Sequence, residues 1–214
     1  MSTKTATITI IVMIALAFLV GIALYPQMPD TMPSHWNAAG EVNGYISKFW
    51  GLFLMPLVSL GIFLLFLAIP RIDPLKANIA QFIKSYNLMM VLLTGYMLYV
   101  YALTLLAALG HQFNMTTMLL PAMGILFILI GFLIGNAKRN FFVGIRTPWT
   151  LSSDTVWAKT HQLGKWTFIG AGVVTILCSF LNEIGFWVMM TILIAAAFVP
   201  IVYSYILWKR ENPA

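Results

Sequence analysis

Six stretches of this chain are apolar over a membrane-spanning length, and no other feature limits its fold so strongly. A span needs about 20 mostly apolar residues, because lipid offers the backbone no hydrogen-bond partner outside its own helix. The stretches are residues 6–24, 51–69, 87–109, 117–135, 166–181 and 185–207. Charged residues make up 8% of the chain against 61% hydrophobic, so no segment can bury a soluble core of its own. The expected fold is an all-α integral membrane protein of six transmembrane helices, one membrane domain over residues 1–214. Lys4 precedes the first stretch as in a signal peptide, but the run is too long for one and lacks a small-residue cleavage site, so it is read as retained.

Charge sets the expected orientation. Of the twelve Lys and Arg, all but Lys48 fall in alternate loops on one side, and the positive-inside rule makes that side cytoplasmic. Both termini and the polar interval 140–164 belong there, in a plasma-membrane protein. The other side holds Asp30, Glu41 and Glu183 against Lys48, a mildly acidic surface that weakly favours a cationic visitor. The net charge of +6 therefore reflects basic inner loops rather than contact with nucleic acid. Cys178, the single cysteine, excludes an intramolecular disulfide.

Between the spans, Pro26, Pro29 and Pro33 bias the start of the outer loop 25–49 to extended backbone. Asn43-Gly44, between Glu41-Val42 and Tyr45-Ile46, is expected to close a small hairpin. His35, Trp36 and Lys48 are its chemically distinctive members; alternatively, Trp36 and Trp50 anchor at the interface and Lys48 snorkels. Asp73-Pro74 reads as a helix start, and Leu75, Ile79, Phe82, Ile83 and Tyr86 then form a stripe expected to lie on the membrane surface. Asn87, Thr94 and Tyr101 share a face of the third span, suited to bonds between helices or to lining a site. Gly124, Gly131 and Gly135 form a stripe for close packing within the chain, with a dimer contact as the weaker alternative; homo-oligomeric state stays open. The Asn114-Met115-Thr116 sequon is assigned no role.

Catalytic patterns are absent: there is no His-Glu-x-x-His, no Gly-x-Ser-x-Gly and no phosphate loop. On this topology His35 and His111 lie outside and His161 inside, which rules out a three-histidine metal site. A His35, His111 and Glu183 set lacks ligand spacing. No Asp, Glu, Lys or Arg falls within the six stretches, which argues against an ion-coupled pump. The chain is expected to be no enzyme and to need no cofactor or metal.

Two motifs carry a resemblance. Residues 33–45, with Pro33, His35, Gly40 and Gly44, followed by Ser47-Lys48, resemble the pattern of an uncharacterised membrane-protein domain, DUF1648, here covering residues 1–69. Gly144-Ile145-Arg146-Thr147-Pro148-Trp149-Thr150-Leu151, preceded by Asn140 and followed by Trp157, Thr160 and His161, resembles the signature of the SdpI family, here residues 74–214 with the cytoplasmic signature loop 136–165. The resemblance implies immunity to a secreted peptide toxin and, as a second role, retention of a cytoplasmic transcriptional repressor at the membrane, with membrane lipid as the other partner. It implies functional motifs at His35, Gly40, Gly44, Ser47 and Lys48 outside, and at Asn140, Gly144, Arg146, Thr147, Pro148, Trp149, Thr150, Trp157, Thr160 and His161 inside. A small-molecule or lipid transporter and a membrane-embedded enzyme are the alternatives.

The inner motif has its own physical logic. Gly144 permits a turn that other residues resist, and Pro148 pushes Thr147 to extended backbone. Ser152 or Ser153 can cap a helix in which Asp154 favours the positive end of the dipole and Trp157 and His161 share a face. Arg146 then either satisfies backbone carbonyls or lipid phosphate, or joins Thr147, Thr150 and His161 in an anion- or carbonyl-recognition site.

Overall fold

A computed structural model describes residues 1–212, apart from the Asn182 side chain. Among the described residues, six helices are long and apolar enough to cross a membrane. In order, the elements are α1 (Thr3–Leu24), β1 (Thr31–Trp36), β2 (Val42–Ser47), α2 (Lys48–Ile72), α3 (Lys76–Gln81), α4 (Ile83–Ala108), α5 (Met115–Ile134), α6 (Pro148–Ser152), α7 (Asp154–Cys178) and α8 (Asn182–Glu211). They form two trios, α1 with α2 and α4, and α5 with α7 and α8, which meet along α4 and α5.

Each trio is held by the residues that lipid forces inward. In the first, Asn87 donates to Thr3 Oγ1 at 3.0 Å and Tyr101 donates to the Ala17 carbonyl at 3.4 Å, so the polar face of the third span bonds to α1. In the second, a Cβ on Gly124 would lie 2.5 Å from the Gly172 carbonyl and one on Gly131 2.8 Å from the Lys165 carbonyl. The glycine stripe thus brings α5 against α7 within the chain, at a distance that any side chain would forbid.

Three local expectations need correction. The fifth span does not begin at 166: α7 runs unbroken from Asp154, so the interval 136–165 is a loop only in its first part. Asp154, Lys159, Gln162 and Lys165 interrupt the apolar run, while Val156, Trp157, Thr160, His161 and Gly164 on the other face are buried. The stripe after Asp73 does not form one surface helix either. Helix α3 starts at Lys76 and ends at Phe82 (φ −121°, ψ 23°), and Ile79, Phe82 and Tyr86 enter the core with Ile10, Phe63 and Trp157. Finally, the hairpin exists, but its turn is at 37–41. Asn37 accepts from the Glu41 N–H and Gly40 takes φ +82°, so these residues close the turn, and Asn43-Gly44 lies within β2.

Candidate functional site

At the end of the bundle that carries both termini, the signature residues build a closed cap. Asn140, fully buried, forms four hydrogen bonds: its amide donates to the Lys138 and Val143 carbonyls, and its Oδ1 accepts from the Phe142 and Val143 N–H groups. No other side chain could replace both functions in a loop this tight. Asp73, also buried, accepts from Leu75 N–H at 2.6 Å and Phe141 N–H at 2.9 Å, pinning one inner loop to the other. Arg139 donates to the Leu151 carbonyl and pairs with Asp154 at 2.8 Å.

Gly144 turns the chain at φ +119° over the ring of His161. Ile145 N–H donates to His161 Nε2 at 3.0 Å, and His161 Nδ1 lies 2.8 Å from the Trp157 carbonyl. Because an N–H can only donate and a carbonyl only accept, the ring is the neutral tautomer with its proton on Nδ1. Trp157 stacks on it with centroids 4.0 Å apart and donates its indole N–H to the Ala137 carbonyl at 2.8 Å. Thr147, extended at φ −115°, caps α6 in a reciprocal box with Thr150, and Pro148 occupies the first turn. Thr147 Oγ1 also meets Ser204 Oγ of α8 at 3.0 Å, Thr150 Oγ1 donates to the Ile145 carbonyl, and Trp149 packs on Tyr205. Ser153 caps α7.

Nine of the ten inner motif residues are therefore drawn into one cluster; Thr160 is fully buried, and among the described residues its hydroxyl has no hydrogen-bond partner. Of the four residues expected to form a recognition site, Thr147, Thr150 and His161 spend their polar atoms inside the cap. Arg146 is exposed, with Nη1 donating to the Phe141 carbonyl at 2.6 Å.

At the opposite end, the hairpin is clamped to the start of α5. Asn114 donates to the Ala39 carbonyl and caps α5 through Thr117 N–H, Thr116 donates to the Ala38 carbonyl, and Met115 N–H donates to the Gly40 carbonyl. Gly40 is buried where a Cβ would strike the Asn114 amide. Gly44 faces His35 across the strands, leaving 2.9 Å between the Cβ it lacks and that of His35. His35 is exposed and bonds Asn43. Lys48 pairs with Asp30 at 3.2 Å and lies over the Tyr25 ring. Ser47 stands before α2 without capping it through its side chain. Among the described residues, no group of three or more His, Cys, Asp or Glu could hold a metal ion.

Cap and hairpin coincide with two family matches: residues 136–204 match the SdpI/YfhL protein family and residues 12–60 match DUF1648, a domain of unknown function. The likeness to the SdpI/YfhL family is thus carried by residues 136–204. Over 204 residues it is 28% identical to the immunity protein SdpI of Bacillus subtilis (strain 168), covering 94% of this chain and 95% of that one. No solved structure matches it. The SdpI-family region thus takes in the cap, α6, α7 and most of α8, and the DUF1648 region holds the hairpin between α1 and α2.

Sequence patterns left Asn114, Arg139 and Ser204 without these roles, and read Asp73 as a helix start but not as a tie to Phe141. For Asn114 a signal was present, since Asn before a helix with Thr three residues on is a cap pattern. The bonds of Asp73 to Phe141 and of Thr147 to Ser204 join distant positions that no local spacing reveals.

Proposed function

We propose that this chain is a multi-pass immunity protein of the plasma membrane that protects its cell from a secreted, membrane-active peptide. The observation that carries the proposal is the likeness to the immunity protein SdpI, which extends through 94% of this chain and so includes the hairpin, the spans and the cap together. The orientation, with both termini and the cap cytoplasmic, rests on the one-sided distribution of Lys and Arg. A peptide arriving from outside then meets the hairpin and the spans first, where His35 and Lys48 are the contacts assigned to it. The role is binding rather than catalysis. The cap closes the cytoplasmic face and, in a second role, offers Arg146 and its surroundings to a repressor protein held at the membrane.

His35→Ala and Lys48→Ala test the outer assignment. In a sensitive host challenged with supernatants of peptide-secreting strains, both are expected to lower survival at matched membrane levels without changing topology. Survival equal to wild type removes the hairpin from the mechanism. Arg146→Lys keeps the charge and loses the planar fork; it is expected to insert normally and to release the repressor from the membrane fraction, and unchanged retention would confine Arg146 to cap structure.

A further inference from the structure

The crevice between the trios opens, at the terminus-bearing end, into a cavity of about 1010 Å³ that the internal bonds of the cap do not fill. Its walls come from the chain around the break at Phe82, the turn after α5 and the start of α7. Three basic side chains line it, Lys84, Lys138 and Arg139, against one carboxylate, Asp154. Arg139 and Asp154 neutralise each other. His161 adds no charge, because both ring nitrogens are committed within the cap. Lys84 and Lys138 are exposed and, among the described residues, belong to no ion pair. Two positive charges therefore share the cavity without a counter-charge.

The neutral lining has the same preference. Ser85 accepts from the Asn136 amide at 3.4 Å, which leaves its own hydroxyl proton to donate. Helix α4 begins at Ile83 after Phe82, which provides no side-chain cap, so the positive end of its dipole opens beside Ile83 and Lys84. A cation finds little to bind here, whereas a phosphate finds two ammonium groups and several donors. The volume is that of a small-molecule site rather than of a few waters. Lys84 belongs to the first trio and Lys138 follows α5 of the second, so one anion between them would tie the trios together.

We propose that this cavity binds a phosphate-bearing anion through Lys84 and Lys138, either the headgroup of an anionic lipid or a free phosphate compound. The test is native mass spectrometry of the full chain released from detergent with phosphatidylglycerol or phosphatidylcholine, with inorganic phosphate as competitor. Wild type is expected to retain phosphatidylglycerol at least about tenfold better than phosphatidylcholine, as two basic groups near a headgroup require. The double variant Lys84→Gln/Lys138→Gln should lose that preference, and Lys76→Gln, on α3 outside the cavity, should keep it. Displacement of the lipid by inorganic phosphate identifies phosphate itself as the ligand; retention of the lipid against phosphate identifies the headgroup. The proposal is overturned if wild type shows no preference for phosphatidylglycerol and no stabilisation by phosphate, or if the double variant binds as wild type does.

Discussion

Replacing Gly144 with alanine puts a methyl group against His161 Nε2, the atom that accepts the Ile145 N–H, and 3.2 Å from the Trp157 ring. Two costs follow. A side chain at φ +119° is strained by roughly 1–2 kcal/mol. Moving the imidazole away leaves the Ile145 N–H without its acceptor, at roughly 1–3 kcal/mol for a group that is not restored to water. Together they amount to about 2–5 kcal/mol, a large part of the stability of an ordinary domain. At about 2–4 °C per kcal/mol for a chain of this size, the midpoint of thermal unfolding in detergent should fall by at least about 4 °C. Gly170→Ala is the matched control: it lies in α7, and a Cβ there meets nothing within 4 Å. If Gly144→Ala melts at the temperature of Gly170→Ala, the packing of the turn on His161 does not hold the cap together.

Three further substitutions separate the other contacts. Asp73→Asn puts an amide donor against one of two backbone donors, so it should lower stability by about 1–3 kcal/mol in the same melt, with hydrogen exchange rising at Leu75 or Phe141. Asn114→Ala removes a helix cap worth about 1 kcal/mol and the bond to Ala39; limited proteolysis should then cut the 37–41 turn while the spans stay protected. Trp157→Phe preserves an aromatic face for His161 but drops the bond to the Ala137 carbonyl, and should cost about 1–2 kcal/mol without displacing the histidine.

The spans were legible in the sequence because lipid tolerates little besides apolar helices, and the glycine stripe of α5 because close approach excludes side chains. The beginning of α7 was hidden by its own amphipathicity: Asp154, Lys159 and Gln162 ended the hydropathy signal on a helix whose other face is buried. Asn43-Gly44 has turn chemistry but does not form the hairpin turn, because Gly44 is needed opposite His35 and the bonds of Asn37 to Glu41 fix the turn earlier. At the cap, local geometry at Gly144, Thr147 and Ser153 followed from residue type. What Thr147, His161 and Phe141 bond to did not, because Ser204, Ile145 and Asp73 reach them only through the folded bundle.

Protection is read from the inhibitory concentration of a killing peptide fraction on a sensitive strain carrying this chain or an empty vector. With the chain present at normal membrane levels the inhibitory concentration should rise severalfold, and Lys48→Ala should reduce that rise. An inhibitory concentration equal to that of the vector control, across fractions from several peptide-secreting strains, would contradict it.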